Sequence, residues 1–279
     1  MERGALSFET QVVDVLPLPL QPRSLAPTIT LHHLLTHTSG LADYFDEERL
    51  DTDAYARTWE TFPSYRARRP VDFLPLFAGL PPQQEPDGAF SYCNAGYILL
   101  GLVIEVVTGL PYPTAIKEHV FEPAGMAASG FFPMDEPHPD LAVGYIPPAS
   151  AGHPWTSNVF SIPVVGSADG GAQCTARDLD RFMTALAAGD LLQPDLSGSM
   201  MTAHVGLPDG DAYGYGVWLL TGQAPARIAF MGDDPGFSAR AYRYPDLGLQ
   251  VVILSNVSDG AGAIGRDLSA RLGLEAGSA

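Results

Sequence analysis

Between Asn94 and Val107 apolar residues recur on nearly every side of a helical wheel: Ile98, Leu99, Leu102, Val103, Ile104, Val106 and Val107. A helix with that pattern is expected to be buried all round. A second run behaves differently. After Thr175, Leu179, Phe182, Met183 and Leu186 fall at i, i+3, i+4 and i+7, while Arg177, Asp178 and Arg181 lie off that face, which predicts a helix packed on one side with Thr175 as its N-cap. In the C-terminal third the pattern changes to strand-like runs over Tyr215 to Leu220, Arg227 to Met231, Ser238 to Tyr244 and Leu249 to Ser255. The last two are joined by Pro245-Asp246-Leu247-Gly248, a connection short enough for antiparallel pairing. A closing helix over Ala263 to Leu272 would cover one face of that sheet. The predicted class is α+β: an antiparallel sheet flanked by helices, beside a mostly helical region.

The N-terminal part is less regular. Leu16 to Pro27 holds four prolines and reads as an extended connector. Ile29, Leu31, Leu34 and Leu35 then predict a short helix, with Thr28 or Thr30 to cap it and Gly40 to end it. From Asp43 to Arg69 helical signal is weak and the breakers Pro63 and Pro70 intervene. No fixed-period repeat and no clean domain cut is visible, so residues 1–279 are read as a single domain.

Composition narrows the chemistry. Hydrophobic residues at 46% and charged residues at 17% exclude global disorder. Fifteen Lys+Arg against 32 Asp+Glu give a net charge of -17, which repels phosphate backbones and excludes nucleic acid as a natural partner. Lys117 is the single lysine, so candidates for a general-base or Schiff-base lysine are nearly absent. Cys93 and Cys174 have no C-x-x-C partner and indicate neither a metal nor redox chemistry. No cofactor motif occurs. No apolar run approaches bilayer-spanning length, and the first ten residues lack the basic start and apolar stretch of a secretory leader. As given, the sequence reads as cytoplasmic, with export open should a segment precede it.

Several motifs then occur in a fixed order. His33-Leu34-Leu35-Thr36-His37-Thr38-Ser39-Gly40-Leu41 contains the run L-L-T-H-T-S-G-L, and Phe90-Ser91-Tyr92-Cys93-Asn94-Ala95-Gly96-Tyr97 follows it. Next come Phe121-Glu122-Pro123-Ala124-Gly125-Met126, the stretch Gly170 to Leu179, Asp234-Pro235-Gly236-Phe237 and Leu254-Ser255-Asn256. Together they resemble the serine β-lactamase-like family, which includes class C β-lactamases, penicillin-binding proteins, D-amino-peptidases and carboxylesterases. The resemblance implies the β-lactamase/transpeptidase-like fold and acyl transfer on a small-molecule ester, amide or β-lactam.

That family's chemistry, as the resemblance implies it, uses three elements. An S-x-x-K pair on a helix supplies the nucleophile and its base. A Y-x-N element supplies a tyrosine oxygen near the nucleophile and an asparagine that holds substrate; Tyr92 and Asn94 match it, with Cys93 between them where serine is usual. A K-T-G or H-x-G element lines the opposite wall of the site. Counted back from Pro235-Gly236-Phe237, the third element falls on Phe230-Met231-Gly232, which keeps the glycine and lacks the basic or imidazole residue. Asp233 and Asp234 follow at the expected rim, where they would discourage anions. Without a cation at Phe230, an ester or amide lacking a carboxylate is the expected substrate.

The first element is the departure. No serine here is followed three residues later by lysine, and Thr114-Ala115-Ile116-Lys117 lies in a stretch the family uses for fold. Gly4-Ala5-Leu6-Ser7-Phe8 resembles the G-K-L-S-L that follows the family's nucleophile helix, so the expected nucleophile lies ~15 residues upstream of Met1. Two readings follow: a hydrolase whose nucleophile lies outside these residues, or a catalytically dead homologue that binds or regulates.

Each candidate has a plainer alternative. Tyr92 and Asn94 also fit a buried aromatic and a helix N-cap. His33 and His37 have the i, i+4 spacing of zinc helices and His32 adjoins them, but the glutamate of H-E-x-x-H is missing and a structural role is expected. Ser39 lacks the G-x-S-x-G elbow and reads as a turn residue. Met231, Phe237 and Trp218 fit an apolar acyl pocket or, more simply, core, and Arg66, Arg68 and Arg69 fit a solvated loop. Oligomeric state is left open.

Overall fold

Both helices read from the apolar periodicity form in the computed structural model, which describes residues 1, 4–45, 52–148, 150, 152–222 and 224–274. The chain divides into two compact units: one of Met1–Val120, Gly130–Asp135 and Pro163–Gln173, and one of Phe121–Ser129, Glu136–Ile162 and Cys174–Ala279.

The first unit is mostly helical. Helix α1 spans Leu31–Leu35 and is capped by Thr30, whose hydroxyl accepts from the His33 amide while His33 Nδ1 accepts from the Thr30 amide at 3.0 Å. The helix ends at Thr36, and the left-handed residue beyond it is His37 at φ 57°, so Gly40 does not terminate it. Gly40 has another reason to be glycine: at φ 68°, a Cβ there would lie 2.1 Å from the Gln84 carbonyl oxygen. Helix α2, Thr52–Thr61, forms where sequence signal was weak, and residues 46–51 before it lie outside the described residues. Aromatic packing overrides propensity here: buried Trp59 meets Tyr55 and Phe73 edge-on at 5.6 and 6.4 Å.

Helix α3, Asn94–Thr108, runs through this unit and ends at Gly109 in the left-handed region. Ile98, Leu99, Leu102 and Val103 are buried with Leu31, Leu34, Phe73 and Phe77. Burial does not extend to its last turn, where Val106 and Val107 face solvent. Gly101 sits mid-helix because a Cβ there would approach that of Ala168 to 2.6 Å, so its absence lets the Ser167–Gly170 turn lie against the helix.

The second unit holds the sheet. Helix α4, Ala176–Ala188, starts at Thr175, whose hydroxyl accepts from the Asp178 amide, and stops at Gly189. Six strands follow in sequence order as an antiparallel meander: β3 Val205–Gly206, β4 Ala212–Tyr213, β5 Trp218–Leu220, β6 Arg227–Asp234, β7 Phe237–Tyr244 and β8 Leu249–Ser255. The strand expected from Tyr215 begins only at Trp218, since Gly214 bonds back to Val217 in a turn through Gly216 at φ 74°. Strand β6 outruns its expected end at Met231 because it pairs with β7 as far as Asp234, opposite Phe237. A separate hairpin, β1 Tyr145–Ile146 and β2 Thr156–Ser157, had no sequence signal. Helix α5, Gly260–Leu272, covers one sheet face, with Gly265 against Ile253 and Tyr242.

Candidate active site

Tyr92-Cys93-Asn94 forms the entry to α3. Cys93 occupies the N-cap position and makes no side-chain cap, so Asn94 is the first helical residue rather than the cap. The cap comes from 51 positions away: one Asp43 oxygen accepts from the Asn94 amide at 2.6 Å, and the other from the Ala95 amide at 3.1 Å. A carboxylate at this end of a helix also meets the positive end of its dipole. Asp43 Oδ2 further accepts from Asn94 Nδ2 at 3.4 Å, which ties down the side chain that the family motif places at substrate.

His37 holds the residues just before. Its carbonyl accepts from the Ser91 amide at 3.0 Å and its Nδ1 from the Cys93 amide at 3.0 Å. Tyr92 lies between those two bonds with its ring stacked on the imidazole, centroids 4.2 Å apart, and Tyr97 stacks on the same imidazole at 4.9 Å. Burial lowers the His37 pKa to about 3, so the ring is neutral at physiological pH. Cys93 itself is no nucleophile: it is buried, and burial and the Asp43 charge raise its thiol pKa well above the usual range.

Next to Asp43, the Tyr44 hydroxyl donates to the half-buried carboxyl of Asp169. Burial pushes Asp169 up to about 7, and the Asp43 charge adds to this while the Tyr44 bond opposes it. Burial and the Asp169 charge likewise raise the Tyr44 phenol well above its ordinary value. Neither Asp43 nor Asp169 stood out in the sequence. The signal available for Asp43 was its position two residues after the L-L-T-H-T-S-G-L run, and for Asp169 its position just before Gly170-Gly171.

The residues matched to the family's third element lie in the second unit, on β6. Phe230 is half-buried and meets Phe182 of α4 edge-on at 5.7 Å, packed against the small core of Ala212, Val217 and Leu219. It is therefore a packing residue of the sheet. Met231 is exposed, and its sulfur lies 3.9 Å from the Tyr242 hydroxyl on the opposite sheet face. A Cβ on Gly232 would meet nothing within 4 Å. Asp233 does not act as an unbalanced negative rim, because Arg240 grips both its oxygens at 3.1 and 2.8 Å and also donates to the Gly232 carbonyl. Strand β5 pairs only with Arg227, Ile228 and Ala229, so Phe230 to Asp233 have no strand neighbour on that side among the described residues.

The remaining candidates resolve into local structure. His33 bonds Thr30 through Nδ1 and Asp87 through Nε2 at 2.9 Å, and His37 is turned to Cys93. Among the described residues no group of three His, Cys, Asp or Glu side chains is placed to hold a metal ion. Buried Ser39 accepts from the Leu41 amide within its own turn. Among the described residues no single helix is long and apolar enough to cross a membrane.

The Beta-lactamase family model matches residues 1–274. A solved penicillin-binding protein from Bacillus halodurans superposes with a TM-score of 0.89 at 40% identity, covering 97% of this chain and 80% of that one. Penicillin-binding protein 4* of Bacillus subtilis is 29% identical over 91% of this chain and 56% of its own length. A D-aminopeptidase of Cereibacter sphaeroides is 29% identical over 96% of this chain and 50% of its own. The chain thus spans about half the length of these curated relatives.

Proposed function

The chain belongs to the Beta-lactamase family, and from that premise we propose that it is a serine-hydrolase-like protein in which Tyr92 and Asn94 face a small-molecule amide, ester or β-lactam. The observation that supports this is the hold on Tyr92-Cys93-Asn94 by His37 and Asp43, which leaves the element little freedom before a ligand arrives. In this reading the Tyr92 phenol oxygen relays a proton at the reacting centre and the Asn94 amide holds the substrate's amide or ester group. At the stretch matched to the family's third element, Phe230, Met231, Gly232 and Asp233 offer no cation: Phe230 is apolar, and the nearby Arg240 is committed to Asp233. That favours neutral or amine-bearing amides and esters over substrates carrying a carboxylate, and the D-aminopeptidase relative is in keeping with an amide.

The S-x-x-K pair has no counterpart in the 279 residues. The chain by itself is therefore proposed to bind such ligands without turning them over by the family's route. A second reading, a homologue that binds and does no chemistry at all, is favoured by Phe230 at the position of the cation and by Cys93 within Y-x-N. Ester and amide hydrolysis by the chain as it occurs in the cell separates the two. For the site itself, calorimetric titration with D-phenylalanine amide tests the assignment. Asn94→Ala is expected to weaken binding on the order of tenfold, the worth of a hydrogen bond lost at a desolvated site. Affinity unchanged in both Asn94→Ala and Tyr92→Phe would remove these residues from the site.

A further inference from the structure

We propose that His37 is the positioning residue of the Tyr92-Cys93-Asn94 element, acting as an Nε2-protonated imidazole that takes the Cys93 amide on Nδ1 and fixes the direction of the Tyr92 ring. The inference rests on the reading of that element as ligand-facing, and it adds a role to a histidine whose spacing alone points to local structure. Three observations converge on this one side chain.

The first is a two-point grip. His37 bonds the residue before Tyr92 through its carbonyl and the residue after it through its ring. Bonding the residues on either side of Tyr92 fixes the backbone from which its ring springs. The second is the stack. The imidazole lies between Tyr92 at 4.2 Å and Tyr97 at 4.9 Å, with interplanar angles of 29° and 22°, so the ring that accepts the amide is also the surface on which Tyr92 rests. The third is backbone conformation. His37 takes φ 57°, a region most side chains avoid and Asn, Asp and His tolerate better. The fold therefore asks three things of this position: left-handed backbone, an unprotonated acceptor at the δ position and a flat ring. Histidine meets all three. Because the Cys93 N–H donates to Nδ1, that nitrogen carries no proton and the ring's hydrogen sits on Nε2. The low His37 pKa keeps this tautomer in place across the physiological range.

Two variants separate these demands. His37→Asn keeps tolerance of the left-handed backbone and offers a carbonyl oxygen near the Nδ1 position; His37→Gly keeps the backbone and offers no acceptor. Nuclear magnetic resonance of the folded chain, labelled on histidine nitrogens and tyrosine carbons, reads the outcome without any substrate. In the wild type the Nδ1 signal is expected at the position of an unprotonated, hydrogen-bonded nitrogen and to stay there from about pH 5 to about pH 8, the range over which an ordinary histidine titrates. The Cys93 amide should remain protected from exchange in His37→Asn and lose on the order of tenfold protection in His37→Gly. The Tyr92 ring signals should move in both variants, because both remove the stacked imidazole. A protonated or titrating Nδ1 would overturn the proposal. So would a His37→Gly protein with wild-type Cys93 protection and wild-type Tyr92 signals. A wild-type chain showing the expected signals while binding no amide or ester would count against the functional reading alone.

Discussion

The two stretches proposed for the site are held in different ways. Tyr92-Cys93-Asn94 is fixed by side chains from far along the chain: an imidazole on the Cys93 amide and a carboxylate across the Asn94 and Ala95 amides. Phe230 to Asp233 is fixed by the sheet, through a ladder with β7 that does not depend on which side chains the strand carries. The difference teaches where substitution is cheap. A ladder keeps its frame whatever side chain stands at position 230, whereas the frame of Tyr92-Cys93-Asn94 rests on the side chains of His37 and Asp43.

Substitutions can break or sharpen that contrast. The largest effect is expected from Asp43→Ala, which strips the caps from the Asn94 and Ala95 amides and should cost about 3 kcal/mol in urea unfolding. A loss below about 1 kcal/mol would show that the α3 entry does not depend on this carboxylate. On the strand, Phe230→Ala removes a half-buried ring from Phe182 and the small sheet core. It should cost about 2 kcal/mol while leaving the Tyr92 and Asn94 amide signals unchanged.

A smaller effect distinguishes the regions by pH. Asp169 has a folded pKa of about 7, above its unfolded value of about 4, so between those values the folded chain binds the extra proton. Stability therefore falls as pH rises from about 4 through 7 and then levels off. Asp169→Asn, which can still accept from Tyr44, should be more stable than wild type at pH 8 and similar to it near pH 4. Equal pH profiles of the two proteins would contradict this assignment. The smallest change is expected for Arg240→Ala. Its partner Asp233 is half exposed, so the loss in urea unfolding should stay below about 1 kcal/mol.

Much of the fold was legible because it rests on periodicity and local capping. Thr175 caps α4, Thr30 caps α1, and Leu249 to Ser255 forms β8 at the expected bounds. The misses have physical causes. Helix α2 is held by the Tyr55–Trp59–Phe73 aromatic contacts, which a local pattern cannot display. Hairpin β1–β2 has two-residue strands, too short for a period-two signal. Of the candidate site, Tyr92 and Asn94 were readable as a motif. Their supports were not, because Asp43 reaches Asn94 across 51 positions and His37 reaches Cys93 across 56. His37 was visible as one of three nearby histidines and as part of the L-L-T-H-T-S-G-L run, and its left-handed backbone leaves no mark on composition or spacing.

The central claim is that these 279 residues hold the family's Y-x-N element without its S-x-x-K nucleophile. It is tested most directly by the intact mass of the purified chain before and after exposure to a serine-reactive phosphonate. The expected result is an unchanged mass. A single adduct mapped to one serine of the folded chain would contradict the claim, since it would place a competent nucleophile within these residues.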